Sequence, residues 1–150
     1  MDDVIKLVAI ALVLGTLSPR VSLKGTVRSC ETGPPGTLWP GAKVSAFDVR
    51  TNRKLLGHLR RMDSDTTDEM MTDFFARYDS VMTIIQKKHA LSRSVADLKG
   101  RFTLTFPSTD SVLVYAYDEL EDEPTFFTYQ VLNGRRSKTI ALHIHGNCRR

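Results

Sequence analysis

His143 and His145 stand two residues apart in a run that reads as a strand, so both imidazoles fall on one face, a geometry that can begin a zinc or copper site. A third ligand would have to come from His58, His89 or an acidic side chain. Ile140, Leu142 and Ile144 hold the buried phase of the same run, which predicts that both histidines face solvent and that no metal is bound. Asp118, Glu119, Glu121, Asp122 and Glu123 offer hard oxygens for calcium, but the run has no glycine for the bend of a calcium loop and reads as a solvated acidic loop. Cys30 and Cys148 lack the close spacing of a metal or dithiol redox site. An export signal would favour a disulfide between them; the alternative is two unpaired thiols in a cytosolic protein. Closing so long a loop would stabilise by about 4 to 5 kcal/mol in the chain-entropy treatment. Lys24 and Asn147 flank the first and last strands, as a lysine–asparagine isopeptide pair would, but Lys24 lies out of phase with Leu23 and Gly25 and reads as a surface lysine. No nucleophile–base or paired-carboxylate constellation emerges, so the expectation is a chain with no catalytic residues and no cofactor.

The elements that would position these residues are organised around Leu98 to Asp118. From Arg101 the residues alternate, with Phe102, Leu104 and Phe106 on one face, which predicts a half-buried strand. Pro107 to Asp110 ends it. Val112 to Tyr117 is apolar on both faces and predicts a strand covered on both sides. These two read as the central strand pair. Val21 to Arg28 alternates as a first strand, Thr32 to Gly41 is a Pro/Gly loop, and Ala42 to Asp48 returns as a strand. A turn at Thr51 to Arg53 then predicts a hairpin with Lys54 to Arg61. Further strands are read at Thr125 to Leu132 and Lys138 to His145, joined by a type I′ turn at Asn133-Gly134. Ser92 to Asp97 is read as a link.

Between Met62 and Val95 the apolar period changes from two to 3.6. Met70, Met71, Phe74, Phe75, Tyr78, Val81, Met82 and Ile85 form a stripe on a helix from about Thr67 to His89, with Thr66 and Glu69 as a capping box and Lys87, Lys88 and His89 in its last turn. The stripe reads mainly as core laid over one sheet. Part of it, at Met70, Met71, Phe74, Phe75, Tyr78 and Met82, is a candidate surface for a partner or a second copy, the chain being a monomer or homodimer. Short strands at roughly ten-residue spacing predict a mainly β fold, a seven-stranded Greek-key sandwich with this one amphipathic helix inserted.

Gly25-x-Val27, Gly41-Ala-x-Val44, Asp97-x-x-Gly100-Arg-Phe-x-Leu104-x-x-Pro107 and Val112-Leu-Val-x-Ala116 together resemble the carboxypeptidase regulatory-like domain, a transthyretin-like (prealbumin) sandwich, from about Leu23 to Ile144. The resemblance implies a scaffold with stabilising, adhesive or docking roles. Members of the family cross to the Asp-x-x-Gly-x-Phe element through a short threonine-rich link, where this chain has 62–95. Transthyretin-like folds also include 5-hydroxyisourate hydrolases, whose site resembles an N-terminal His, an Arg, a later His and a closing Tyr-Arg-Gly-Ser. This chain has no His before His58 and ends Gly146-Asn-Cys-Arg-Arg150, so the hydrolase chemistry is not expected. Without the family, Gly100 reads as a backbone turn ahead of a strand, with Asp97 bonding the turn's amides and Phe102 the first large core side chain.

Composition sets the remaining bounds. In 150 residues, 41% hydrophobic and 25% charged content excludes a disordered chain and fits one domain. The formal charge of +4 is spread over separate groups with no groove-entering helix, which argues against nucleic acid. An apolar run of about ten residues from Leu7 matches a signal-peptide core. Only Lys6 precedes it as a side-chain cation and no small-x-small triplet follows, which keeps two other readings, an uncleaved anchor, and with it membrane proximity, or a buried first element. The expected organisation is a leader or anchor at 1–20 and a domain at 21–148 with a helical insertion at 62–95. The expected role is a secreted or periplasmic, non-enzymatic accessory module that binds a protein or surface ligand through that insertion. The alternative is a carrier of a small ligand or carbohydrate, or a hydrolase, using a pocket between helix and sheet.

Overall fold

From Val112 to Tyr117 every side chain is buried, and a strand apolar on both faces needs a covering layer on each. The computed structural model, which describes residues 18–29, 36–64, 71–118 and 126–144, with the backbone alone at 63, 64, 71–75 and 126, supplies both layers. The elements in chain order are β1 (Arg20–Ser29), β2 (Lys43–Asp48), α1 (Arg53–Ser64), α2 (Met71–Lys87), β3 (Ser92–Val95), β4 (Arg101–Pro107), β5 (Ser111–Asp118), β6 (Phe126–Asn133) and β7 (Lys138–Ile144). They form a three-stranded sheet in the order β4-β1-β7 and a four-stranded sheet in the order β3-β2-β5-β6. The fold is mainly β.

β1 lies between an antiparallel β4 and a parallel β7, while every neighbour in the larger sheet is antiparallel. The even phase of β5, Val112, Val114 and Ala116, packs with Leu23, Leu104 and Leu142 in a core between the sheets. Its odd phase, Leu113, Tyr115 and Tyr117, joins Phe47 and the helices in a second core. The edges of the two sheets are joined by side chains: the Thr105 amide donates to Ser92 Oγ at 3.2 Å, and Gln130 Nε2 donates to the Ala141 carbonyl at 2.8 Å.

Four expectations are corrected. Residues 54–61 are not a hairpin strand but most of α1. Alternation would have placed Leu56 opposite Leu55 and Leu59, whereas the helical period gathers Leu55, Leu56, Leu59 and Met62 on one face, all of them buried. Burying three leucines, at about 2 kcal/mol each, outweighs the roughly 1 kcal/mol that Gly57 costs a helix interior. Second, Ser92–Val95 is not a link but the edge strand β3, paired with β2 from Lys43 to Ala46. Among the described residues β3 takes the place of the lost hairpin arm. Third, β4 and β5 are not a central pair, since they belong to different sheets. Fourth, Asn133-Gly134 is not a type I′ hairpin: neither residue has positive φ, and the chain crosses there from one sheet to the other. Gly134 is needed for a close approach instead, because a Cβ would lie 2.6 Å from the Thr109 carbonyl oxygen. The second helix is described over Met71–Lys87; residues 67–70 and the Thr66–Glu69 capping box lie outside the described residues.

The Asp97-Leu-Lys-Gly100 turn has the form its residues predict. Gly100 has φ +65°, and a Cβ there would sit 2.7 Å from the Val27 carbonyl oxygen, so both conformation and space call for glycine. The Gly100 carbonyl accepts from the Val27 amide at 2.7 Å, and the Val27 carbonyl accepts from the Trp39 amide at 2.9 Å, which ties the turn to β1 and to the loop before β2. Asp97 Oδ1 accepts from the amides of Lys99 and Arg101, while Oδ2 pairs with the Arg101 guanidinium at 2.9 Å. The Arg101 amide foremost, with its side chain and the Lys99 amide, holds the Asp97 carboxyl below the ordinary value of 3.8 against a smaller opposing effect of desolvation. A depressed carboxyl stabilises the fold above its unfolded pKa and loses that contribution as pH falls through the folded one. Asp97→Asn should therefore narrow the stability difference between neutral and acid pH below 3.8. Urea titrations of both proteins check this, and identical acid slopes would contradict it.

Candidate functional site

The layer between the helical pair and the four-stranded sheet concentrates the aromatic side chains. Tyr115 stacks on Phe127 with ring centroids 5.8 Å apart and meets Tyr117 at 5.6 Å, and Tyr78 reaches Phe127 from α2. Tyr115 is completely buried, and its hydroxyl has no hydrogen-bond partner among the described residues. Burial, followed by the neighbouring phenols of Tyr78 and Tyr117, raises its pKa well above the ordinary phenol value, so it stays neutral and serves as no base.

Arg93, in a segment read as a link, fastens this layer. From β3 it donates to the carbonyls of Ile85 and Lys88 at 2.7 and 3.0 Å, at the end of α2 where carbonyls lack helical partners. Its guanidinium also reaches Ser45 Oγ at 3.3 Å and lies 5.8 Å from the centre of the Phe47 ring. A cation at a helix C-terminus complements the helix dipole. The signal available in the sequence was an arginine a few residues beyond a helix end.

A second locus lies where the loop before β2 runs beside the end of β1. Ser29, Thr37, Leu38, Trp39 and Pro40 line an open depression of about 230 Å³. The Ser29 amide donates to the Thr37 carbonyl at 2.7 Å, and Trp39 Nε1 donates to Asp118 Oδ2 at 2.6 Å, which fixes the indole across the mouth of the sandwich. Ser29 Oγ is buried with no partner among the described residues. The chain's single tryptophan, set in a Pro/Gly loop, was the signal for this locus in the sequence.

The residues singled out from sequence are dispersed. His143 is exposed on the outer face of the three-stranded sheet and His58 is half-buried on α1, so both sheets separate them; His145 lies outside the described residues. Among the described residues no three potential metal ligands cluster. Asp118 is engaged by Trp39, and the rest of the acidic run lies outside the description, as do Cys30 and Cys148. Of the predicted interaction stripe, Tyr78 is half-buried and Met82 buried in the helix–sheet core. Met70 and the side chains of Met71, Phe74 and Phe75 lie outside the description. No helix among the described residues is long and apolar enough to cross a membrane.

No protein-family model matches the chain, and no curated protein matches it.

The Tyr115 hydroxyl separates a plain core from a site. An unpaired buried hydroxyl costs about 1 to 3 kcal/mol, so Tyr115→Phe should leave stability unchanged or raise it. An unfolding free energy lowered by more than about 1 kcal/mol would instead mean that the hydroxyl has a partner in the folded chain.

Proposed function

We propose that the chain is an exported, non-enzymatic accessory module of the cell envelope, built on a Greek-key sandwich of the carboxypeptidase regulatory-like type, whose partner contact is made by the helical pair. The observation that carries the reading is the position of that pair. α1 and α2 sit between β2 and β3 in sequence and form a third layer outside the four-stranded sheet. The sandwich core between the sheets is made without them. The resemblance to the family is supported by where its residues stand: Gly25 and Val27 in β1, Val44 in β2, the Asp97–Gly100 turn leading into β4, and Val112 to Ala116 in β5. The insertion begins earlier than periodicity suggested, at Arg53.

Export is supported by the apolar run from Leu7 and by the route to a Cys30–Cys148 disulfide. β1 and β7 run parallel with Ser29 opposite Ile144, so Cys30 follows one residue and Cys148 four residues beyond neighbouring strand ends. That span is within reach of a disulfide. The reading of a small-ligand or carbohydrate carrier is favoured by a different feature, the Trp39 depression, since an indole held by a hydrogen bond is a fitting platform for a sugar ring.

Two measurements on the protein in its native cells test the proposal. Its intact mass should begin beyond the apolar run and be lighter by two hydrogens than the reduced form; a reduced chain recovered from the cytosol would contradict export. A photo-crosslinking residue at Arg60 or Asp79, both exposed on the helices, should capture a discrete envelope partner, and one at Thr103 on the three-stranded sheet should not. Capture at Thr103 alone would overturn the role of the helices.

A further inference from the structure

We propose that one pole of the sandwich, where the chain arrives from residues 1–17, is the face that this protein lays against an anionic lipid bilayer. A chain of backbone bonds defines the pole. The Ser108 amide donates to the Pro19 carbonyl at 2.8 Å, the Thr109 amide to the Gly134 carbonyl at 3.1 Å, and the Val49 amide to the Ser111 carbonyl at 3.1 Å. The start of β1, the β4–β5 turn, the β6–β7 crossing and the turn into α1 therefore lie together.

Their charges are one-sided. Residues 18–20, 48–54, 107–111 and 133–138 carry Arg20, Arg50, Arg53, Lys54, Arg135, Arg136 and Lys138, against only Asp48 and Asp110. Asp110 is taken by Arg135, and Asp48 Oδ1 accepts the Arg50 amide. Arg20, Arg50, Arg53, Lys54 and Arg136 are exposed and form no ion pair among the described residues. Arg53 and Lys54 moreover occupy the first turn of α1, the end of a helix where the dipole disfavours cations, and no acid accompanies them. A local electrostatic rule is broken there with no compensating contact among the described residues, which points to an external anion. At the opposite pole β5 ends on an acid, Asp118, which Trp39 engages.

Two observations choose the occupant. The apolar run that begins at Leu7, read as the export signal, is joined in sequence to Ser18 and Pro19, so the polybasic pole is the part of the domain that emerges next to the membrane on export. The four segments of the pole hold no aromatic residue on which nucleic-acid bases could stack. This inference rests on the helical reading above only through the first turn of α1. The cross-link at Arg60 reports on that reading, and vesicle binding reports on this one.

The test is flotation of the protein as recovered from the envelope with phosphatidylcholine vesicles, with and without about one third phosphatidylglycerol. The expected result is a gain in binding from phosphatidylglycerol that high salt removes. Each cation near the surface contributes about fivefold to partitioning, so R50Q/R53Q/K54Q/R136Q should lose about two orders of magnitude or more of that gain. All four side chains are exposed, and an unchanged circular dichroism spectrum confirms the fold of the variant; the salt titration of the unaltered chain tests the proposal independently. K24Q/R28Q/K99Q, away from the pole, should keep the gain. Equal flotation with and without phosphatidylglycerol, an equal loss in the second variant, or binding to a phosphodiester oligonucleotide in place of vesicles would overturn the proposal.

Discussion

The burial of β5 on both faces is the constraint on which the other elements depend. A strand with Val112, Val114 and Ala116 on one side and Leu113, Tyr115 and Tyr117 on the other exposes apolar surface whichever way it turns, unless two layers cover it. The three-stranded sheet supplies one and the helical pair the other. The helices are therefore a structural requirement of this sheet as well as an addition to a sandwich. Deleting them would leave Phe47, Leu113, Tyr115 and Tyr117 as one exposed apolar surface, which is costly in water. Arg93 is the polar counterpart of that apolar contact, joining β3 to the unsatisfied carbonyls at the end of α2.

Much of this was legible in the residues. Strict alternation identified β1, β4 and β7, because each has one face on the core and one in solvent, and the two-sided apolar run identified β5 as a covered strand. The Asp97–Gly100 turn was legible because its requirements are local: positive φ, and a carboxylate within reach of its own amides. What failed were assignments settled by distant contacts. Lys54 to Arg61 carries leucines at spacings that fit a short strand or a helix, and the choice is made by Phe47 and Tyr115, which present a surface that only the helical spacing matches. Ser92–Val95 is short, polar and charged, as edge strands often are, so nothing apolar marked it. The pairing of strands was also out of reach, since β4 and β5 are adjacent in sequence yet part company at the turn, each drawn to its own sheet.

The two ends of the sandwich differ in kind. At one end lie Trp39, Asp118, the Asp97–Gly100 turn and the strand ends that precede Cys30 and Cys148. The other end is built of turns between cationic residues, and the chain enters there. Between the two ends, His58 and His143 stand on opposite sides of the sheets, and Tyr115 is buried in the helix–sheet core as a neutral phenol.

The central claim, that the two cores on either side of β5 make sheets and helices one cooperative unit, is tested most directly by native-state hydrogen exchange. The account predicts that amides of β5 and of its partner β2 exchange only through global unfolding, and that the buried turns of α1 and α2 open with the same free energy. Helices that exchange through a separate, lower-energy opening while β5 stays protected would contradict it, and would make the helical pair an appendage on an independently stable sandwich.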